Sequence, residues 1–392
     1  MVEPEQPTPT AEPDFSLRLD GSAPRHDPAS SLRPRSHVEL EQDEPATHEL
    51  TVLIPARNEA HNLPACLASL IAQSEPGFEL GRQWHIFVID DDSTDETLAI
   101  AQALARDREG LHVLRAPELK PRRHGFTGKN AALWFGVNQP VARTAAWFLF
   151  TDADTLHEPA TTHRAVVEAE RHDLSMLSYS PRQIAANLAQ RALLPLIFSE
   201  LATAYPPKQV NDPSSPIAAA NGQFLLVSRD AYFSVGGHQA VADRVLEDVA
   251  LARLLKRRHA IRLRYAPESV AARMYQTTGE MVAGWTKNLA LLFSRPVWLA
   301  ASRSIDFLLL LGLPLLAIAL PWLITWQKAA IWILWLRVIL RYWTRTRRSN
   351  AGALDMLLAV FALPLFAVLL VRSWQQVTLT KRVTWKGREY TP

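Results

Sequence analysis

Two hydrophobic patterns alternate through the middle of the chain. Short runs rich in β-branched and aromatic residues are typical of buried strands, and apolar stripes with a period near 3.6 are typical of helices. The predicted strands are Leu50–Ile54, His85–Ile89, Leu111–Arg115 and Ala146–Phe150. The predicted helices are Asn62–Ala72, Thr94–Arg106 and Lys129–Val137. This alternation predicts an α/β fold with a Rossmann-like parallel sheet built by right-handed crossovers.

Longer apolar segments follow residue 293. They are Phe307–Thr325, Ala329–Trp343 and Ala353–Val371. The first holds 19 residues without a charge, about the length that crosses a hydrocarbon core. The second contains Arg337 and Arg341, and the third contains Asp355 and Pro364. We expect between one and three membrane crossings, and the alternative for each segment is a buried core helix.

Basic clusters constrain how these segments are oriented. The clustered residues are Arg345, Arg347 and Arg348, and then Lys381, Arg382, Lys386 and Arg388. The positive-inside rule places both clusters in the cytoplasm, which three full crossings cannot satisfy. Either one apolar segment is re-entrant or interfacial, or the terminal tail breaks the rule. Interfacial helices are also predicted at Leu188–Tyr205 and Met281–Phe293, with Tyr275 and Trp285 at headgroup depth; ordinary core helices are the alternative.

The remaining composition defines four regions. Residues 1–47 hold ten acidic residues, four basic residues and eight prolines, which is typical of a disordered tail. No basic stretch followed by an apolar run opens the chain, so we expect no secretory signal and a cytoplasmic soluble part. The predicted regions are a tail at 1–48, a catalytic domain at 49–293, membrane helices at 294–376 and a basic cytoplasmic tail at 377–392.

Several classes of protein are disfavoured. Cys66, the only cysteine, lies in a helix-period apolar stripe and is interpreted as a core residue. The Gly-x-Gly-x-x-Gly and phosphate-loop fingerprints are absent, which disfavours dinucleotide oxidoreductases and phosphate-loop ATPases. No basic groove interleaved with aromatic residues is apparent, so nucleic acid is not an expected partner.

Carboxylates follow two of the predicted strands. Asp152 and Asp154 end the strand Ala146–Phe150, and open α/β sheets bind ligands at the carboxyl ends of their strands. Carboxylates together with substrate phosphates suit Mg2+ or Mn2+. After the second strand, Asp90 and Asp91 are expected to point into the same crevice and to accept hydrogen bonds from a nucleobase or ribose; the alternative is a solvated turn.

Helix capping accounts for several polar residues in and beside these acidic motifs. Ser93 is predicted to cap the following helix, and Asp95 is predicted to lie in its first turn. Asn62 is a predicted cap of the first helix. The acidic pair Glu247 and Asp248 is expected to begin a helix with its two side chains pointing in different directions, and a helix-dipole role is the alternative.

The order of seven motifs resembles the family 2 inverting glycosyltransferases with the GT-A fold. The motifs are Pro55-Ala56-Arg57-Asn58-Glu59, Asp90-Asp91-Asp92-Ser93-Thr94-Asp95, Gly128-Lys129-Asn130-Ala131-Ala132-Leu133, Asp152-Ala153-Asp154, Asn221-Gly222-Gln223-Phe224, Gly236-Gly237-His238 and Glu247-Asp248. The apolar segments and Trp385-Lys386-Gly387-Arg388 resemble a membrane-attached branch that includes ceramide glucosyltransferase and hopanoid- and carotenoid-associated enzymes. The implied fold is a GT-A nucleotide-sugar-binding domain followed by transmembrane or interfacial helices.

The resemblance implies a role for each motif. The implied nucleotide-sugar contacts are Pro55, Arg57, Glu59, Asp90, Asp91, Gly128, Lys129 and Asp152. Asp154, with Asp152, is implied to hold Mg2+ or Mn2+ on the diphosphate, and Asp248 is the implied general base. Further contacts to acceptor or phosphate are assigned to Asn221, Gly222, Glu247, Trp285 and Lys287.

One departure from the family pattern bears on the product. Many processive members carry Gln-x-x-Arg-Trp, whereas this chain has Gly284-Trp285-Thr286-Lys287-Asn288. Lys287 supplies a cation but not the planar fork of an arginine. The prediction is a multi-pass membrane enzyme that moves one sugar from a nucleotide sugar to a lipid hydroxyl at the cytoplasmic face, and the family resemblance implies that the nucleotide is UDP. The alternatives are a processive polysaccharide synthase, a nucleotidyltransferase and a catalytically silent membrane scaffold.

Overall fold

The computed structural model describes residues 46–73, 75–117, 125–380, 383–385 and 388–390, the last two ranges as backbone only. The predicted acidic tail lies outside these residues up to position 45. In the predicted basic tail, positions 381, 382, 386, 387, 391 and 392, which include Lys381, Arg382 and Lys386, also lie outside them.

A seven-stranded mixed sheet forms the centre of the catalytic region, with the order β3-β2-β1-β4-β8-β6-β9. The strands are β1 His48–Ala56, β2 Trp84–Asp90, β3 Leu111–Arg115, β4 Ala145–Phe150, β5 Thr155–His157, β6 Met176–Ser180, β7 Arg182–Gln183, β8 Leu225–Ser228, β9 Ile261–Tyr265, β10 Val270–Ala272, β11 Val383–Trp385 and β12 Arg388–Tyr390. Strands β5, β10 and β7 form a small second sheet, and β11 pairs with β12.

The four predicted strands are confirmed and run parallel to one another. Ala56 of β1 lies opposite Asp90 of β2, and Leu53 of β1 lies opposite Phe150 of β4. Because the three strands run in the same direction, the loops after them meet at one edge of the sheet. This edge carries the polar residues that the sequence places after each apolar run.

Beyond β4, where the sequence pattern predicted no strands, the sheet becomes mixed. Strand β8 pairs antiparallel with both β4 and β6, while β6 pairs parallel with β9. The reversal brings the segment before β8 to the same edge as the end of β4, since Leu225 lies opposite Phe150. Local apolar patterns do not encode strand direction, so only the three-dimensional pairing shows this arrangement.

Helices flank the sheet and continue into a C-terminal bundle. They are α1 Leu63–Ile71, α2 Thr97–Ala105, α3 Gly128–Val137, α4 Pro140–Arg143, α5 Thr161–Arg171, α6 Leu188–Ala204, α7 Pro207–Val210, α8 Arg229–Ser234, α9 Gly237–Ala240, α10 Glu247–Leu255, α11 Thr278–Leu292, α12 Pro296–Ala319, α13 Thr325–Thr346 and α14 Ala353–Gln375. A 3-10 turn at Arg347–Ser349 follows α13, and a π-helical turn at Gln376–Thr380 follows α14.

Three hydrophobic cores hold these elements together. Two lie on the opposite faces of the main sheet, and Cys66 is fully buried in one of them, as predicted. The third joins α6 and α11 to the C-terminal helices α12, α13 and α14. The predicted boundary at residue 293 therefore falls inside a shared core, and the division of the chain there stays a prediction.

The C-terminal helices extend beyond the predicted segments at most of their ends, but α12 stops earlier than predicted. Helix α12 ends at Ala319, whereas the apolar segment was predicted to continue to Thr325. Pro321 explains the stop, because a proline disfavours helical geometry in the residue before it, and Leu320 has φ −105° and ψ 88°. Helices α12 and α14 are long and apolar enough to cross a membrane by length and composition.

Tyr275 and Trp285 do not lie at a surface. Both are buried in the third core, where the Trp285 ring packs edge-on against Phe198 at 6.0 Å between ring centroids. The prediction that they lie at headgroup depth is therefore wrong. Helices α6 and α11 are covered by α14, which supplies the packing that the sequence pattern left open.

Candidate active site

The loop after β1 is held against the loop after β2. Asn58 adopts a left-handed backbone conformation (φ 52°), its backbone N–H donates to Oγ of Ser93 at 3.0 Å, and its Oδ1 accepts from the N–H of Thr94 at 2.8 Å. Arg57 Nη1 donates to the carbonyl of Asp91 at 2.6 Å. Asparagine tolerates positive φ better than most residues, so the motif residue Asn58 shapes the floor of the site.

These contacts correct the three capping predictions. The Ser93 side chain accepts from Asn58 instead of capping α2, which begins only at Thr97. Asp95 accepts from the N–H groups of Ala60 and Thr97 at 3.2 and 3.0 Å. Asn62 occupies the cap position of α1 without a side-chain cap; its amide donates to Oε2 of Glu59 at 2.9 Å. The polar residues join two loops because the parallel strands bring those loops together.

Lys129 joins two carboxylates from distant parts of the chain. Its Nζ lies 2.8 Å from Oδ1 of Asp152 and 2.7 Å from Oε1 of Glu247. Burial alone would lower the pKa of Lys129, but Asp152 and Glu247 raise it well above its ordinary value. Lys129 therefore stays cationic and links the end of β4 to the start of α10.

The Gly-Gly-His motif fixes the position of the helix that carries Lys129. The side-chain amide of Asn130 donates to the carbonyls of Val241 and Ala242 at 2.8 and 3.0 Å, just after α9. Gly237 has φ 52°, and a Cβ there would lie 2.4 Å from the Tyr232 ring. A side chain at Gly237 would thus clash, so the glycine permits the turn that supports α3.

Asp248 accepts hydrogen bonds from backbone on both carboxylate oxygens. Gly222 N–H donates to Oδ2, and Val249 N–H donates to Oδ1, each at 2.8 Å. A Cβ on Gly222 would lie 3.2 Å from Lys129 Nζ, 3.4 Å from Asp248 Oδ2 and 3.5 Å from Glu247 Oε1. The carboxylates of Glu247 and Asp248 therefore converge on Gly222, and the prediction that they point in different directions is wrong.

The surroundings of Asp248 favour proton uptake near neutral pH. Burial, followed by the negative charge of Glu247, raises the pKa of Asp248 to about 6, while Lys129 opposes the increase. A general base works best when its pKa lies near the working pH. Lys287 lies in the same cavity, and burial lowers the pKa of its ammonium to about 8.

Six of the seven motifs, all but Gly236-Gly237-His238, meet in one cavity of about 780 Å3 at the carboxyl edge of the sheet. The predicted site residues that line it are Pro55, Arg57, Glu59, Asp91, Lys129, Asp152, Asp154, Asn221, Gly222, Glu247, Asp248, Trp285 and Lys287. Two predicted contacts, Asp90 and Gly128, do not line it. Asp90 is buried with one carboxylate oxygen near Ser93 N–H at 3.4 Å, and Gly128 lies in the buried first turn of α3.

Sequence reasoning missed several residues of this cavity. The side-chain amide of Gln276, which precedes α11, donates to Oδ1 of Asn62 at 2.9 Å and so joins the segment before α11 to the start of α1. Gln223 is buried; its Oε1 accepts from Gln183, and its Nε2 has no hydrogen-bond partner among the residues that the structure describes. The Asn-Gly-Gln-Phe motif was the available signal for Gln223. No local pattern marks Gln276, because its contact depends on how α11 packs.

The charges of the cavity bear on metal binding. The acidic lining residues are Glu59, Asp91, Asp152, Asp154, Glu247, Asp248 and Glu280, and the cationic ones are Arg57, Lys129 and Lys287. Within the described ranges, no group of three or more His, Cys, Asp or Glu side chains is arranged to hold a metal ion. A Mg2+-type site commonly needs only one or two carboxylates plus substrate phosphates. Asp152 and Asp154 fit that donor set, and the excess of carboxylates favours a cation when a diphosphate binds.

Residues 51–233 match the model of the family described as Glycosyl transferase family 2. These residues are therefore similar to family 2 glycosyltransferases, the family that the motif resemblance indicated. The match ends before α10, so Glu247 and Asp248 lie outside the matched residues.

Curated relatives extend the likeness at low identity. A 4,4'-diaponeurosporenoate glycosyltransferase of Staphylococcus haemolyticus is 26% identical over 250 residues, covering 62% of this chain and 62% of the relative. A protein of the same name from Staphylococcus aureus strain MRSA252 is 24% identical over 369 residues, covering 87% of this chain and 88% of the relative. The first of these matches thus spans less than two thirds of the relative.

Solved structures resemble the chain more distantly. A mannosyltransferase from Pyrobaculum calidifontis, solved in complex with GDP-Man and Mn2+, is 17% identical. The match covers 86% of this chain and 89% of the mannosyltransferase chain, with a TM-score of 0.47. Glucosyl-3-phosphoglycerate synthase from Mycobacterium tuberculosis, solved in complex with Mn2+, UDP and glucosyl-3-phosphoglycerate, is 19% identical. The match covers 64% of this chain and 80% of the synthase chain, with a TM-score of 0.41.

Proposed function

We propose that the chain is an inverting glycosyltransferase that moves one sugar from a nucleotide sugar, with UDP as the preferred nucleotide, to a hydroxyl of a membrane lipid. The observation that carries the proposal is the position of Asp248. Its carboxylate is held by Gly222 N–H and Val249 N–H beside the Lys129–Asp152 pair, inside a cavity large enough for a nucleotide sugar.

The donor lies at the carboxyl edge of the sheet in this proposal. Glu59 and Asp91 line the end of the cavity formed by the loops after β1 and β2, where carboxylates accept hydrogen bonds from a nucleobase N–H or ribose hydroxyls. Asp90 is not given a direct contact, because it does not line the cavity. Lys287, on α11, supplies a cation toward the diphosphate from the opposite wall.

Asp248 is the general base. Two backbone N–H groups hold its carboxylate, and each oxygen keeps a further lone pair for an acceptor hydroxyl. Asp248 takes the proton from that hydroxyl while the oxygen attacks the anomeric carbon. The bond from that carbon to the diphosphate breaks, and the nucleoside diphosphate leaves with the bonding electrons. A single displacement of this kind inverts the anomeric configuration.

Mg2+ or Mn2+ is part of the proposal. Asp154, with Asp152, would hold the ion against the donor diphosphate, where a divalent cation stabilises the negative charge of the leaving group. Lys129 is already bound to Asp152 and Glu247. Lys129 therefore keeps these two carboxylates in place and limits their mutual repulsion, whether or not donor is bound.

The membrane provides the acceptor. Helices α12 and α13 follow the catalytic region directly, and α12 exposes large apolar side chains such as Leu308, Leu315 and Ile318. We propose that these two helices enter the bilayer and return, the multi-pass attachment predicted from the sequence, with the catalytic region in the cytoplasm. The absence of Gln-x-x-Arg-Trp in α11 favours transfer of a single sugar over polymer synthesis.

The test is transfer by the purified full chain. Radiolabelled UDP-sugars and GDP-sugars are offered separately with a total lipid extract and Mn2+. We expect label from a UDP-sugar in the organic phase, in a product heavier than a lipid by one sugar residue with inverted configuration.

Two other outcomes contradict the proposal. Long water-soluble glycans would favour the processive alternative. Absence of any transfer or nucleotide-sugar hydrolysis, together with no binding of UDP to the folded chain, would favour the silent scaffold.

A further inference from the structure

Helix α14 is the more hydrophobic of the two candidate spans, with a mean hydropathy of 2.6 over its best window. A helix that crosses a bilayer has its two ends on opposite sides of about 30 Å of hydrocarbon. The contacts at the two ends of α14 decide whether such a separation is compatible with this fold.

Both ends of α14 bind helices that line the active cavity. At its start, Asp355 pairs with Arg191 of α6 at 2.7 Å. At its end, the hydroxyl of Ser373 accepts from the backbone N–H of Ala290 in α11 at 2.8 Å. Between these points α14 packs along both helices, and also along α12, in the third core.

Helices α6 and α11, here called the cavity helices, lie side by side over the active cavity. Near their starts, Gln190 donates to the carbonyl of Tyr275 at 3.2 Å, and at their ends the Tyr205 hydroxyl donates to the carbonyl of Leu292 at 2.7 Å. Residues along both helices, from Phe198 to Tyr205 and from Glu280 to Leu292, contribute to the cavity wall. A nucleotide sugar reaches that cavity from water, so the cavity helices belong to the aqueous side.

The opposite face of α14 is apolar and uncovered. Leu354, Leu357, Phe361 and Val368 are each more than half exposed. Their spacings of 3, 4 and 7 residues place them in one stripe along the helix. An exposed apolar stripe beside other exposed apolar helices marks a membrane contact.

We infer that α14 lies in the plane of the membrane, with its cavity-helix face toward the catalytic region and the Leu354–Val368 stripe in one leaflet of the bilayer. The inference rests on the membrane attachment proposed above. The apolar surface continues onto α12, and Arg347 and Arg348 precede α14, where they suit anionic lipid headgroups. An in-plane α14 also removes the conflict between three crossings and two cytoplasmic basic clusters.

Cysteine labelling tests the sidedness of the two ends. Cys66 is fully buried, so the unmodified chain serves as the unlabelled control. Gly352→Cys precedes α14 at a position where a Cβ meets nothing within 4 Å, and Thr378→Cys follows α14 at an exposed position. We expect a membrane-impermeant maleimide to label both variants in inside-out vesicles and neither in intact cells.

The outcomes separate this inference from the proposed function. Labelling of Thr378→Cys from outside intact cells, with Gly352→Cys labelled only from inside, would show that α14 crosses the bilayer and would overturn the inference alone. Recovery of the full chain in the soluble fraction without detergent would overturn both the in-plane helix and the membrane attachment.

A depth measurement examines the stripe itself. Spin labels at Leu354→Cys and Val368→Cys are placed in vesicles of phosphatidylcholine and phosphatidylglycerol, and their exposure to oxygen and to a polar nickel chelate gives their immersion depths. An in-plane helix predicts equal depths, whereas a crossing helix separates these positions by about 21 Å along the membrane normal. Strong spin–spin broadening without oxygen exposure would assign the stripe to a second copy of the chain instead.

Discussion

The backbone N–H of Gly222 donates a hydrogen bond to Oδ2 of Asp248 at 2.8 Å. The two residues come from different elements, since Gly222 precedes β8 and Asp248 lies in the first turn of α10. Their contact places the proposed base beside Lys129, and a Cβ on Gly222 would lie 3.2 Å from the Lys129 ammonium. Gly222 is therefore the point at which the proposed acceptor and donor halves of the site meet.

Gly222→Ala is expected to impair transfer without unfolding the chain. The added methyl group contacts the ends of the Lys129, Glu247 and Asp248 side chains, which can shift, and Gly222 does not have the positive φ that disfavours alanine. We expect a rate at least about tenfold lower, because misplacing a catalytic group by a fraction of an ångström is costly. Steady-state transfer assays and thermal unfolding measure the two effects.

Gly352→Ala is the matched control. The same substitution at Gly352 meets no atom within 4 Å, so its rate and melting temperature should stay near those of the unmodified chain. Equal rates for the two variants would contradict the assigned geometry of Gly222.

Asp248→Asn should retain nucleotide-sugar binding and lose at least about a hundredfold in rate, the usual scale for removal of a general base. The amide keeps the size of the carboxylate but cannot accept the acceptor proton. Asp230→Asn, at an exposed position outside the cavity, is the control for the same change. If donor affinity collapses while the rate with bound donor holds, Asp248 is a binding residue instead.

The rate should fall on acidification with an apparent pKa near 6. Burial and the charge of Glu247 raise the pKa of Asp248 to about 6, so below that pH the carboxyl already carries a proton and cannot accept another. Glu247→Gln removes the negative charge that raises the pKa of Asp248. The fall of kcat/KM at acidic pH should therefore begin at a lower pH in this variant. Measurement of kcat/KM from pH 4.5 to 8 tests this shift. If kcat/KM of Glu247→Gln falls at the same acidic pH as that of the unmodified chain, the two carboxyl groups are not coupled.

Asp154→Asn should abolish metal-stimulated transfer and leave the fold intact. Asp154 lines the cavity directly after β4, and an amide is a weaker ligand than a carboxylate for a hard cation. Chelation should stop transfer by the unmodified chain, and added Mn2+ or Mg2+ should restore it. Full turnover in excess chelator would remove the metal from the mechanism.

Gly237→Ala should destabilise the folded chain by about 1–3 kcal/mol, the usual cost of overpacking a core. The new methyl group would lie 2.4 Å from the ring of Tyr232, which is fully buried, and Gly237 has φ 52°. The free energy of unfolding, or the melting temperature in detergent, measures the loss. Gly352→Ala again provides the comparison, and equal stability of the two variants would contradict the packing described for Gly237.

The sequence alone predicted the first half of the fold well. Strand β3 has the predicted bounds, and β1, β2 and β4 differ from prediction by only a few residues at their ends. Buried parallel strands are continuous apolar runs, and the loops after them carry the polar residues, so a one-dimensional pattern records both. Asp152, Asp154 and Asp91 were placed at the cavity for that reason.

Three-dimensional packing decided the rest. The reversed direction of β8 brings Gly222 to Asp248. The hydrogen-bond partners of Ser93 and Asp95 lie in another loop. Tyr275 and Trp285 are buried in the core that α14 helps to form. None of these relationships has a local period, because each joins segments that lie tens of residues apart in the sequence. The sequence by itself determined which strands are buried and where carboxylates follow them; only the tertiary structure decided which of those groups meet.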